Sequence, residues 1–224
     1  MYKEIFTEDG DLMMKKVLLI GDSIRIGYDK YVRMAFDGVA EVYYPDENCR
    51  FAAYVVRNLH DWKCELGIPD DLDLIHVNVG LWDDLVLLDG EHLPPLPIYE
   101  YYVDRIFKMI KRFFPVAKII FATSTPVREA LFTCNKRYNA DTRAYNDAAV
   151  KIAERYGAYI NDLYAITEKV PESYYSDHCH LYTKDGTRLH TEKVVSEIEN
   201  VLGIKGKTLN FDELFVNQKD VLGT

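Results

Sequence analysis

Two short segments carry the residue types of nucleophilic catalysis. Gly21-Asp22-Ser23 directly follows the apolar run at 16–20 (KVLLI), and Asp177-His178-Cys179-His180 lies near the C-terminus. A hydroxyl is a weak nucleophile until a base takes its proton. That base, an imidazole, needs a carboxylate to fix its tautomer and stabilise its charged form. Asp and His three residues apart on one tight turn can meet both needs, with Asp177 orienting His180 and His180 facing Ser23. A serine between a buried strand and a helix projects its hydroxyl into a crevice. Its backbone N–H then lies near a helix N-terminus, where a developing oxyanion is favoured. The chemistry implied is acyl transfer. Taken alone, Ser23 serves equally well as the cap of the following helix. The segment is also not a G-x-S-x-G elbow, because Arg25 stands two residues after the serine.

These groups need a scaffold, and the hydrophobic pattern supplies one. Short apolar, β-branched runs bounded by polar or turn residues recur at 16–20, 41–44, 73–79, 118–123 and 158–161, as expected of parallel strands buried on both faces. Between them, helical spacing is expected at 27–36, 51–64, 98–114 and 142–156, with a last helix at 184–202. Pro115 stops the third of these, and Gly157 and Gly203 end the last two. Alternating β and α predicts an α/β protein, a three-layer α/β/α sandwich with a five-stranded parallel sheet. Such sheets bind ligands at the carboxyl ends of their strands, where both segments fall.

With these pieces in order, the chain resembles the SGNH/GDSL hydrolase superfamily from about residue 16 to 202. The resemblance rests on Gly21-Asp22-Ser23 after the first strand and on Asp177-x-x-His180-Leu181 followed by Gly186 at the last helix. Val77-Asn78-Val79-Gly80-Leu81-Trp82-Asp83 stands where the family carries its G-x-N-D block. Tyr145-Asn146 and Ile160-Asn161-Asp162-Leu163 are further shared features. The resemblance implies a flavodoxin-like fold and a serine esterase acting on small acyl esters, O-acetyl groups on carbohydrate among them. Ser23, His180 and Asp177 would be its catalytic residues, with no metal or organic cofactor. Two positions depart from the pattern. Trp82 stands in place of the asparagine that helps hold the oxyanion, and no glycine follows the second strand, where Asn48-Cys49-Arg50 lie. Asn78, Asn48 or a backbone amide near Arg50 is expected to replace the lost donor. Gly80, Trp82, Asp22 and Arg25 are expected around the same site. A binding module that kept the scaffold but lost its oxyanion hole, and an acyltransferase using the same three residues, are the alternatives.

Composition narrows the partners. The chain has 224 residues, 48% hydrophobic and 28% charged, with a formal net charge of −9. An acidic balance with no basic run argues against nucleic acid and anionic membranes. The sequence contains no run of apolar residues long enough to span a bilayer, and the first dozen residues lack the basic start of a signal peptide. Cytoplasmic residence and four free cysteines (Cys49, Cys64, Cys134, Cys179) are therefore expected. One domain is expected at 15–203, between an N-terminal extension at 1–14 and a tail at 204–224. The tail either wraps back on the domain or joins a second copy in a homo-oligomer. Consecutive Asp177, His178 and Cys179 are not expected to converge on a metal. His190 is expected on a helix surface and His76 in the core. Tyr28, Trp82, Arg25 and Arg50 are expected to line the crevice, and the proline-rich loop 87–97 to rim it.

Overall fold

The computed structural model describes residues 14–216. Residues 1–13 of the extension expected at 1–14, and residues 217–224 of the tail, lie outside them. Five strands form one parallel sheet: β1 (Lys15–Ile20), β2 (Ala40–Tyr43), β3 (Leu74–Asn78), β4 (Lys118–Ala122) and β5 (Tyr159–Asn161), in the spatial order β2-β1-β3-β4-β5. Alternation within the strands divides the core in two. Leu18 and Ile20 of β1, and Ile119 and Phe121 of β4, face one layer. Val17 and Leu19, with Ile120 and Ala122, face the other. Both faces being apolar is why the inner strands β1, β3 and β4 read as near-continuous apolar runs, whereas the edge strand β2 alternates, with Glu41 exposed.

The first layer comprises α3 (Ala52–Glu65), α4 (Leu96–Phe113) and α5 (Asn139–Arg155). The second holds α1 (Ser23–Ile26), α2 (Asp29–Ala35), α6 (Leu163–Thr167) and α7 (Lys184–Leu202). The helix expected at 27–36 is α2, and the short α1 before it was not expected. Gly27 N–H closes α1 onto Ser23 and Ile24 carbonyls, and Tyr28 then opens α2 by accepting from Tyr31 and Val32. α7 has its expected bounds and ends at Gly203 in the left-handed conformation, at φ 68°. His190 is a correction: it is 5% exposed, because its face of α7 packs on the β5–α6 segment, where its ring meets Thr167 Oγ1 at 2.8 Å. His76 is in the core as expected, taking a hydrogen bond from Asn161 Nδ2 at 3.1 Å. No helix among the described residues is long and apolar enough to cross a membrane.

The sheet order carries the functional consequence. β2 lies on one side of β1 and β3 on the other, so the chain reverses its winding direction at β1. The crevice above such a switch point is where open α/β sheets take their ligands. Ser23 stands at its floor.

Candidate active site

The turn after β1 is shaped by packing. A Cβ on Gly21 would lie 2.6 Å from Arg25 Cβ, so only glycine lets the chain turn this tightly under α1. Asp22 caps α1, its Oδ1 accepting from Ile24 N–H at 2.8 Å. The cap is therefore Asp22 and not Ser23, whose hydroxyl is left for other work. Asp22 is fully buried, and burial pushes its carboxyl up to about 6 against the opposing pull of the Ile24 N–H and of His180. It supports the turn from below and does not line the crevice.

The C-terminal turn meets this one. Ser23 Oγ lies 2.7 Å from His180 Nε2, and His180 Nδ1 lies 2.7 Å from Asp177 Oδ2. The other carboxylate oxygen accepts from Cys179 and His180 N–H, both at 2.8 Å, which fixes the turn. Tyr182 stacks on the His180 ring at 4.6 Å and donates its hydroxyl to the Ser23 carbonyl at 2.5 Å. Burial opposes ionisation of Asp177. The hydrogen bond and charge of His180, with the two backbone N–H groups, overcome it and hold the carboxyl well below the usual range. Asp177 thus stays a carboxylate, and the imidazole it orients can take a proton from the hydroxyl and return it.

Above these groups opens a cavity of about 540 Å³. Asn48 and Trp82 border it with Ser23, as expected, together with Leu81, Phe132, Arg137 and His178. Asn48 accepts from Arg50 N–H through Oδ1 at 2.8 Å, which leaves its amide nitrogen without a partner among the described residues. The Ser23 backbone N–H is likewise unpaired among them. Cys49 N–H donates to the Gly21 carbonyl at 3.2 Å, which ties the Asn48 loop to the nucleophile turn.

Six expectations are corrected. Asn78 is fully buried, and its amide nitrogen donates to the Ala122 and Thr123 carbonyls at 3.0 and 3.3 Å, so it clamps β3 to β4 and offers nothing to an oxyanion. Arg25 is 1% exposed. It lies beneath α1, donating to Asp29, to the Pro45 carbonyl at 2.9 Å and to the Gly21 carbonyl at 3.3 Å, so it braces the site rather than meeting a ligand. Tyr28 is buried in the core and Arg50 points outward over Tyr54, so neither lines the cavity. Gly80 does not line it either. It forms the turn in which Asp83 and Asp84 N–H both reach its carbonyl at 2.9 Å, at φ 147°, where a Cβ would press on Ser124 Oγ at 2.8 Å. Loop 87–97 folds away, bridged at Val86 and held by Tyr145 OH on the Pro94 carbonyl at 2.7 Å.

The wall is supplied instead by the connection at 123–138, which brings Leu131, Phe132, Cys134 and Arg137 to the cavity. Its length without strand or α-helix was the signal available in the sequence, since connections this long are commonly functional. The turn 177–179 does gather three ligand-type atoms within 4.8 Å of one another. A metal there would have to compete for Asp177 with His180, whose Nδ1 lies 2.7 Å from Asp177 Oδ2.

No family model matches the sequence, and no curated protein does. Solved structures do share the fold. A lipase/acylhydrolase from Enterococcus faecalis is 17% identical, with a TM-score of 0.67 over 88% of this chain and 100% of its own. An acetyl xylan esterase is 18% identical, with 0.66 over 82% and 99%. A GDSL-like lipase from Bacteroides thetaiotaomicron is 15% identical, with 0.63 over 83% and 88%.

Proposed function

We propose that this chain, which has the SGNH/GDSL hydrolase fold, is a serine esterase that cleaves small acyl esters. The observation that carries the reading is the unbroken hydrogen-bonded series Ser23–His180–Asp177, at 2.7 Å in both links, opening on a cavity. Ser23 Oγ attacks the ester carbonyl as His180 Nε2 takes its proton. Asp177 holds the ring through Nδ1 and stabilises the imidazolium. The tetrahedral oxyanion is met by the Ser23 N–H and by the unpaired amide of Asn48, which replaces the donor lost at Trp82. His180 then returns its proton to the leaving alcohol. A water, deprotonated by the same imidazole, attacks the acyl-enzyme and releases the acid.

The cavity of about 540 Å³ suits a short acyl group with a sugar-sized alcohol, so O-acetylated carbohydrate is the proposed substrate class. No cofactor enters this scheme. One observation favours a second reading, a binding module of the same fold: Trp82 occupies the place of a side-chain oxyanion donor. Hydrolysis of p-nitrophenyl acetate by wild type and Ser23→Ala, with mass-spectrometric mapping of a fluorophosphonate probe, separates the two. The esterase reading expects probe on Ser23 and a loss of about 10³-fold or more in kcat for the variant. No turnover and no labelling would leave the binding module.

A further inference from the structure

Arg137 has no part in the proposed proton relay, yet it is the only Lys or Arg among the described residues that line the cavity. Its position is fixed twice. The preceding Lys136 carbonyl accepts from Val86 N–H at 2.8 Å, and Arg137 Nε donates to the Leu81 carbonyl, next to Trp82. Phe132 lies 5.8 Å from the guanidinium carbon. The side chain is 11% exposed, and both terminal nitrogens lack a hydrogen-bond partner among the described residues. A guanidinium already ordered, with its fork of N–H groups unpaired at a ligand cavity, is built to take an oxyanion in bidentate fashion.

We propose that Arg137 selects substrates by binding a carboxylate, so that the preferred ester carries a carboxylate beside its scissile bond. This rests on the esterase reading of the same cavity. A structural role as counter-ion to the buried Asp84 accounts only for Nε, which lies 3.4 Å from that carboxyl. Burial raises the Asp84 carboxyl, against the opposing hydrogen bond from Thr142 and the charge of Arg137. The ligand is a monoanion. Arg137 is a single fixed cation already 3.4 Å from the Asp84 carboxyl through Nε, which suits one carboxylate rather than a phosphate dianion.

Two substrate pairs test this. Mono-p-nitrophenyl succinate against p-nitrophenyl butyrate puts the charge on the acyl side, and 4-acetoxybenzoate against its methyl ester puts it on the alcohol side. Wild type is expected to favour the charged member of one pair by about tenfold or more in kcat/KM, mainly through KM, as one charge-assisted contact allows. Arg137→Gln should bring that ratio to near unity, and Arg137→Lys should restore it only in part. A wild type that favours the neutral member of both pairs, or a variant that keeps the preference, overturns the proposal. Calorimetric titration of succinate and benzoate into Ser23→Ala and Ser23→Ala/Arg137→Gln needs no turnover. Binding lost with Arg137 supports the inference, and no binding by Ser23→Ala overturns it. Absence of fluorophosphonate labelling, by contrast, counts against the esterase reading alone. If Arg137→Gln fails to fold, the wild-type ratios and the Ser23→Ala titration decide.

Discussion

The two asparagines at the carboxyl edge of the sheet have opposite fates. Asn78 donates across β3 and β4, whereas Asn48 has its oxygen committed to Arg50 N–H and an unpaired amide at the cavity that it lines with Ser23. A donor aimed at charge that develops only in the transition state lowers the barrier without tightening ground-state binding. Asn48→Leu is therefore expected to lower kcat by about 10²–10³ with KM nearly unchanged. Asn78→Leu should instead lower stability, because two β4-end carbonyls lose their partner. Steady-state kinetics and urea unfolding of both variants check this, and unchanged kcat in a folded Asn48→Leu protein would remove Asn48 from the oxyanion site. Ser23, Asp177 and His180 were legible in the sequence because each sits on a turn readable locally, one at a strand end and one of i,i+3 spacing, although the contact between the two turns spans the chain. The fates of Asn78, Arg25 and Arg137 were not. Each is decided by a partner far along the chain, such as the Ala122 carbonyl, the Pro45 carbonyl or the Leu81 carbonyl.

All five strands could be read from the sequence, the inner three because burial on both faces turns each into a nearly plain apolar run, the edge strands β2 and β5 from short β-branched or aromatic segments. The short α1 could not, because four residues, Ser23–Ile26, are too few to show a helical period. For α7 the bounds were clear but the rotation was not. Its polar His190 turns inward, and burial without a charged partner lowers that ring to about 4. A base whose folded pKa lies below its unfolded value, near 6.5, gives stability that is fully present above 6.5. That stability is lost as pH falls toward the folded value. His190→Gln, which can keep a hydrogen bond to Thr167, should flatten this acid limb. Between pH 7 and 4.5 wild type is expected to lose about 1–3 kcal/mol through this group that the variant does not lose. Urea midpoints at the two pH values measure the difference, and parallel losses in both proteins would show that His190 is not the titrating group. His76, which burial lowers to about 3, adds a limb of the same sign to both proteins and so cancels in the comparison.

At the scale of the molecule, the chain beyond Gly203 lies across its own α2 and α7. Lys207 N–H donates to the Ala35 carbonyl at 2.7 Å, and Gly206 N–H to Glu199 Oε1 at 2.8 Å. Phe211, in the short helix α8 (Phe211–Leu214), is 5% exposed with its ring 5.1 Å from that of Tyr31. Val216 N–H reaches the Tyr31 hydroxyl at 3.1 Å. Ion pairs also mark this contact, Lys207 with Asp37 and Lys184 with Asp212, but their partners are exposed and such pairs contribute little. The apolar anchor should therefore dominate. Phe211→Ala is expected to destabilise the protein by about 3–5 kcal/mol, the range for a buried phenylalanine. Lys207→Ala and Lys184→Ala should each stay within about 0.5 kcal/mol of wild type. Because no residue of 204–216 lines the cavity, Phe211→Ala should keep the wild-type kcat at temperatures where it remains folded. Thermal unfolding with and without 1 M NaCl discriminates the two kinds of contact: salt should leave the Phe211 effect intact, since screening acts on charges and not on apolar burial. If the lysine variants are the damaging ones, or if 1 M salt reproduces the loss seen for Phe211→Ala, the strap is held by charge and the apolar account of it is wrong.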